Sequence, residues 1–178
     1  TAVVGFGGYP ALPALLAAFA NKVPTIIHDQ NAVLGRVNRL VAGKVNAIAT
    51  AYPDVQRVKP AHQDKVHLVG NPVRAQIAQA LPPAQRDFHH GGPLRLLVLG
   101  GSQGAVALNE LVPEALAKLV AQKAIEIRHQ AGKKNTDKAR AKYAALGVTA
   151  EVLPFIDDMA AMYAWADLVV CRSGALTV

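Results

Sequence analysis

The stretch Leu94-Arg95-Leu96-Leu97-Val98-Leu99-Gly100-Gly101-Ser102-Gln103-Gly104 constrains the fold more than any other. An almost unbroken apolar run reads as a strand buried on both faces of a parallel sheet. Glycines at its carboxyl end let the backbone turn sharply and approach a ligand closely. A helix pattern over Ala105 to Gln122 follows at once. Such a helix points free N–H groups and a partial positive charge back at the loop, where a diphosphate is a natural guest. Ser102 adds a hydroxyl, and no acid stands in the loop. Two readings stay open, a ligand cradle or a strand-turn-helix whose glycines serve packing. The loop lacks the Lys of a Walker A motif and is not the Gly-x-Gly-x-x-Gly dinucleotide fingerprint.

The same pattern surrounds it. Val3-Val4 ends a strand before Gly5, Gly7 and Gly8, and Ala14 to Asn21 reads as a helix. Thr25 to His28 is a buried strand, Asp29 to Asn31 a loop, and Leu34 to Ala42 a helix with Leu34, Val37, Leu40 and Val41 on one face. Short strands are expected at Ala47 to Ala49 and Lys65 to Val69, and a short helix at Val73 to Ala80. Residues 81–93 hold three prolines, two histidines and two glycines and read as a loop or linker. Beyond the glycine loop come a strand at Ile125 to His129, a helix at Thr136 to Leu146, a strand at Ala150 to Pro154, a helix at Asp157 to Ala166 and a strand at Leu168 to Cys171. Strands alternating with helices mean βαβ units and parallel sheets. The alternation runs twice, on either side of the linker, so the expected architecture is α/β, with two Rossmann-like pieces and a ligand at the carboxyl ends of the strands.

Charge narrows the partners. The formal net charge of +7 favours an anion, whether nucleic acid, an acidic bilayer or a phosphorylated small molecule. Aromatics are only 5% and are not interleaved with the basic residues, which argues against single-strand nucleic-acid binding. The single Cys171 excludes an internal disulfide framework. No run approaches a membrane span. The chain opens inside an apolar strand at Thr1 and closes at Val178, where a helix is starting after Ser173-Gly174, so a piece of a longer protein is expected.

Several residues carry chemistry on their own account. His28-Asp29-Gln30-Asn31 sits where a strand gives way to a loop, the usual place for a site in such sheets. His28 and Asp29 could take or relay a proton, or Asp29 and Asn31 could cap the next helix. Arg74, after Gly70-Asn71-Pro72-Val73, could fork onto a phosphate or lie exposed on a helix. Asp157-Asp158 reads as a helix cap. His62, His67, His89 and His90 show no ligand spacing, so no metal site is assigned. Cys171 reads as core, and the basic run Lys133 to Lys142 as a solvated helix face.

Six stretches together resemble the MurG glycosyltransferases, the family that adds N-acetylglucosamine to undecaprenyl-diphosphoryl-muramoyl-pentapeptide in peptidoglycan synthesis. They are Gly5-Phe6-Gly7-Gly8-Tyr9-Pro10, His28-Asp29-Gln30-Asn31, Gly70-Asn71-Pro72-Val73-Arg74, Gly100-Gly101-Ser102-Gln103-Gly104-Ala105, Phe155-Ile156-Asp157-Asp158-Met159 and Cys171-Arg172-Ser173-Gly174-Ala175-Leu176-Thr177-Val178. The resemblance implies a GT-B fold, two Rossmann-like domains with parallel sheets, each incomplete here. Residues 1–73 would be the later part of the acceptor and membrane-side domain, and residues 74–178 the earlier part of the domain binding UDP-N-acetylglucosamine. It implies donor contacts at Asn31, Arg74, Gly101, Ser102, Gly104, Ile156, Ala175, Leu176, Thr177 and Val178. On the acceptor side it implies Gly7, Gly8, Tyr9 and Gln30 as contacts, with His28 and Asp29 as catalytic candidates and a further general base upstream of Thr1. The family usually has Glu where Asp29 stands and Ser where Ala11 stands.

The implied partners are UDP-N-acetylglucosamine, the lipid-linked muramoyl diphosphate and an anionic membrane surface, with no nucleic acid, no cofactor and no metal. The implied location is peripheral, on the cytoplasmic face of the bacterial plasma membrane, with Phe19 and Lys22 as candidate membrane contacts. An enzyme resembling UDP-N-acetylglucosamine 2-epimerase and a non-catalytic nucleotide-sugar-binding module are the alternatives. The isolated chain is expected to be inactive.

Overall fold

In a computed structural model, residues 1–88, 91–101, 103–120 and 124–174 are described. They divide into two compact units, with Thr1–Pro72 in the first and Val73–Ser173 in the second. The first unit runs β1 (Val3–Gly5), α1 (Ala11–Ala20), β2 (Thr25–Asp29), α2 (Arg36–Val41), β3 (Ala47–Thr50) and β4 (Val66–Leu68), with a 3-10 turn at Pro60–Lys65. Its sheet is parallel in the order β1-β2-β3-β4. The second unit runs α3 (Ala75–Ala78), a 3-10 turn at Pro83–Gln85, β5 (Leu94–Leu99), α4 (Val106–Leu119), β6 (Ile125–Gln130), α5 (Thr136–Ala145), β7 (Glu151–Leu153), α6 (Met159–Trp165) and β8 (Leu168–Cys171). Its sheet is parallel in the order β7-β6-β5-β8. The chain steps from β5 outward to β7 and then returns to the other side of β5. That reversal is a topological switch point, and the crevice outside the strand ends there is where open α/β sheets bind ligands.

Alternation along β5 explains the layering of the second unit. Leu96 and Val98 face a core with Leu116 of α4 and Ala139 and Tyr143 of α5, whereas Leu97 faces the opposite core with Ile156, Met159 and Met162 around α6. Both faces are covered, which is why the strand reads as continuous apolar sequence. At the amino ends of β5 and β8, Asp167 accepts from the Arg95 backbone N–H at 2.8 Å and from its guanidinium Nη2 at 2.9 Å. In the first unit one core gathers Leu15, Ile27, Leu34, Val41, Val45 and Ile48. Val4 is nearly half exposed on the other side of that sheet.

Three expectations change. Asp29 is the last residue of β2, not the start of a loop. Helix α1 begins at Ala11, ahead of the expected start, because Pro13 falls in the first turn, where its missing N–H has no partner to lose. The buried stripe of α2 is Leu34, Val37, Asn38 and Val41, while Leu40 is 71% exposed. Spacing of three, four and seven residues from Leu34 selects position 38, and a polar residue is retained there for the bonds described below. Pro113 lies inside α4, where it removes one helical N–H donor without ending the helix.

Candidate functional site

At the carboxyl edge of the first unit, β1 gives way to Gly7 and Gly8, both in the left-handed region at φ +79° and +74°. Phe6 and Tyr9 flank them and are exposed. The Phe6 ring lies 5.5 Å from that of His28. At the end of β2, Asp29 is 3% exposed and all its bonds are local. Its Oδ1 accepts from the Asn31 N–H at 3.0 Å and the Asn31 side-chain amide at 3.2 Å. Its Oδ2 accepts from the Gly35 N–H at 2.7 Å and from Asn38 Nδ2 at 2.9 Å. Asn38 also donates to the His28 carbonyl at 3.1 Å. One buried carboxylate thus ties the β2 end, the following turn and the start of α2 together. Asn31 itself is exposed and Gln30 half-buried.

His28 is buried, and its Nε2 lies 2.9 Å from the Gly70 carbonyl. A carbonyl only accepts, so Nε2 carries the proton. The other ring nitrogen, Nδ1, has no partner among the described residues.

In the second unit the glycine loop is held from behind. Gly100 donates to the Gln130 carbonyl at 3.1 Å, and Gly104 donates to the Gly101 carbonyl at 2.8 Å. Gln130 Nε2 donates to that same Gly101 carbonyl at 2.8 Å, and Asn135 Nδ2 to the Gln103 carbonyl at 3.4 Å. Asn109, buried in the second turn of α4, donates to the Ala131 carbonyl at 3.1 Å. Gly101 and Gly104 have φ +78° and +76°, and a Cβ on Gly104 would overlap the Ala131 carbonyl oxygen. The Gly101 and Gln103 carbonyl oxygens are therefore engaged within the protein. Helix α4 has no side-chain cap and no acid in its first turn. Free N–H groups at such a helix start are able to bind an anion. Arg172, just past β8, brings its Nη2 to 3.6 Å from where a Cβ of Gly101 would stand.

Arg74 lies exposed at the start of α3 and lines an open recess of about 410 Å³ with Gln76, Ile77, Asp157, Asp158 and Met159. Asp158 caps α6, its Oδ1 accepting the Ala161 N–H at 2.9 Å. The Ile156 side chain is buried against Leu97 and Ala166. Ser102, His89, His90 and Ala175, Leu176, Thr177 and Val178 lie outside the described residues. Among the described residues no three His, Cys, Asp or Glu side chains gather as metal ligands. The basic run on α5 is ion-paired to α4: Lys138 meets Glu110 at 2.6 Å, and Lys142 meets Glu110 at 3.2 Å and Glu114 at 2.5 Å.

Residues that sequence reading passed over are Asn38, Asn109 and Gln130. Each is a buried amide in an element that also carries charged residues, so composition alone does not single it out; a buried amide is costly without partners, and only the fold shows those partners.

The model of the glycosyltransferase family 28 C-terminal domain matches residues 95–178, and that of the family's N-terminal domain matches residues 1–50. The chain belongs to glycosyltransferase family 28. Its fold class is accordingly GT-B, with two Rossmann-like units. A UDP-N-acetylglucosamine--N-acetylmuramyl-(pentapeptide) pyrophosphoryl-undecaprenol N-acetylglucosamine transferase of Erythrobacter litoralis is 50% identical over 180 residues, covering 100% of this chain and 45% of the relative. The same-named protein of Zymomonas mobilis is 46% identical, over 99% of this chain and 46% of its own length. The chain spans about half the length of the curated relatives it matches. Among solved structures, Acinetobacter baumannii MurG matches with a TM-score of 0.72 at 38% identity, over 99% of this chain and 48% of that one. S. aureus MnaA, solved with UDP, shares the fold with a TM-score of 0.65 at 14% identity, over 98% of this chain and 53% of that one.

Proposed function

We propose that this family 28 chain belongs to an inverting transferase that moves N-acetylglucosamine from UDP-N-acetylglucosamine to the C4 hydroxyl of undecaprenyl-diphosphoryl-muramoyl-pentapeptide. The observation that carries the reading is the glycine loop of the second unit. The carbonyls of Gly101 and Gln103 are bonded within the protein, and the loop leads into the N-terminus of a fourteen-residue helix with no side-chain cap. The names of the relatives supply the substrates. The acceptor hydroxyl attacks the anomeric carbon, its proton passes to a base, and the bond to UDP breaks as the diphosphate gains charge. Helix N-termini and guanidinium groups meet charge that develops in this way.

The second unit is read as the donor side. Gly101, Ser102 and Gly104 hold the diphosphate, Arg74 contacts the nucleotide sugar, and the Ile156 backbone meets uracil. Ala175, Leu176, Thr177 and Val178 wrap the donor, and Asn31 of the first unit adds a donor contact. The first unit is read as the acceptor side, with Gly7, Gly8, Tyr9 and Gln30 as contacts. His28, whose Nδ1 has no partner among the described residues, is the proton-handling candidate there. Asp29 ties the turn that follows the strand carrying His28, because both of its oxygens are already bonded.

No helix among the described residues is long and apolar enough to cross a membrane. We read the association as peripheral, on the cytoplasmic face. It would act through a recess at the amino end of the first sheet lined by Phe19, Lys22, Val23, Lys44 and Asn46, where basic side chains border an aromatic one.

The deciding experiment incubates the full-length protein with sugar-labelled UDP-N-acetylglucosamine, with and without the lipid-linked muramoyl acceptor. Label in the lipid fraction only when acceptor is present is the expected result. Conversion of the donor without acceptor, or no turnover with both substrates, overturns the reading. Arg74→Ala and Ser102→Ala should each lower turnover by roughly 100-fold.

A further inference from the structure

We propose that Gln130 is a positioning residue of the donor site, whose side-chain amide sets the spacing between the diphosphate loop and the base loop. Gln130 ends β6, the strand between β5 and β7, and is 5% exposed. Its backbone already serves the strand ends, since its carbonyl accepts from Gly100 at 3.1 Å. The side chain then reaches past the point where the ladders stop. Nε2 donates to Gly101, two residues beyond β5, at 2.8 Å, and to Pro154, one residue beyond β7, at 3.5 Å. Both acceptors are carbonyls, so the orientation of the amide is fixed by its partners.

Three things follow. The Gly101 carbonyl also accepts the Gly104 N–H, so both of its lone pairs are engaged and its negative pole is turned into the protein. Pro154 leads directly into Phe155-Ile156, the stretch read above as meeting the base. One amide therefore couples two loops that have to grip one ligand at two points, and a nucleoside diphosphate fits only when their separation is right. An apolar side chain of similar size would fill the same space without desolvating an amide, which makes the polar residue informative.

This inference rests on the donor-site reading, and the experiment separates the two. Affinities for UDP and for uridine are measured by calorimetry on the full-length protein, on Gln130→Leu and on the near-isosteric Gln130→Glu, at pH 8 and pH 6. The expected result for Gln130→Leu is a loss of about tenfold in UDP affinity with uridine nearly unchanged, because the fragment spans only one loop. Gln130→Glu should show the same loss at pH 8, where a carboxylate faces two carbonyls. It should regain part of the UDP affinity at pH 6, because burial among carbonyls raises the carboxyl's pKa and the protonated group can donate to one of the two carbonyls again. A merely space-filling role would not respond to that proton. Unchanged UDP-to-uridine ratios in both variants, or equal impairment of Gln130→Glu at both pH values, overturns the proposal while the donor reading stands. A wild-type protein that binds UDP no better than uridine overturns the donor reading and this inference with it. Should Gln130→Leu fail to fold, the pH response of Gln130→Glu decides alone.

Discussion

The ends of β2 and β5 occupy equivalent positions in the two sheets and solve the same problem in opposite ways. Each strand delivers the chain to the N-terminus of a helix, where unpaired N–H groups need a negative partner. After β2 a carboxylate stands close by: Asp29 accepts the N–H of Gly35, the residue that leads into α2, and the Asn38 side-chain amide, although the first turn of α2, like that of α4, holds no acid. After β5 no acid stands in the first turn of α4, and the buried amides hold carbonyls instead. The first edge is tied together by one buried carboxylate and carries His28, whose Nδ1 has no partner among the described residues. The second is shaped by glycines and held by amides, with no carboxylate bonded at the helix start. The proposed donor site rests on that difference.

The largest effect that would break this contrast is at Gly104. Alanine there would drive Cβ into the Ala131 carbonyl from a left-handed backbone, so α4 and the turn after β6 would have to separate. We expect Gly104→Ala to destabilise the second unit by about 3 kcal/mol or more and to abolish UDP binding. Denaturant unfolding of the full-length protein, followed by UDP titration, checks both. Next is Asp29→Ala, which strands the Gly35 N–H and the buried Asn38 amide. It should cost about 2–3 kcal/mol and, because Asp29 also holds Asn31, weaken UDP binding, but far less than Gly104→Ala does. A comparable loss of UDP binding would dissolve the distinction between the two edges.

Acid sharpens the contrast from another side. His129 is fully buried against the Tyr143 hydroxyl at 2.9 Å, and burial lowers its pKa from 6.5 to about 4. The folded unit keeps the ring neutral where the unfolded chain would protonate it. Stability is therefore unaffected above about pH 6.5, falls as pH drops toward about 4, and levels off below. The loss should be on the order of 2 kcal/mol, and Gln in place of His129 should remove that part of the slope. Chemical denaturation at pH 7 and pH 4.5 reads it directly.

How much of this was legible beforehand follows from what periodicity can carry. The strands and the glycine loop were readable because burial on both faces writes a continuous apolar run in β5, and turns write glycine. The Leu40 assignment failed because apolarity was weighed above spacing: Asn38 holds the buried position and Leu40 faces solvent. Asn109 and Gln130 were invisible for a related reason. Their partners, the carbonyls of Ala131 and Gly101, are far away in sequence and carry no side-chain signal. His28 and Asp29 were recognised as a pair but could not be separated by sequence. Only the bonds distinguish a carboxylate fully committed to the α2 turn from a ring with one nitrogen unengaged.

The smallest change proposed here asks whether the uncapped start of α4 is what makes the second edge a site. Val106 is the first residue of α4 and is 62% exposed, so its side chain can be exchanged with little packing cost. Val106→Asp would set a carboxylate in the first turn of α4, beside its free N–H groups, going further than Asp29 does with the single N–H of Gly35 ahead of α2. Such a charge stabilises an exposed helix end by about 0.3–1 kcal/mol, so the variant should unfold at the same denaturant concentration as wild type or slightly higher. The same carboxylate repels a diphosphate and competes for its donors, so UDP affinity should fall about tenfold, with uridine changed far less. Uncharged Val106→Asn, similar in shape, should keep most of the UDP affinity. If Val106→Asp binds UDP as wild type does, the uncapped helix end is not the anion's partner, and the two edges differ in architecture without differing in role.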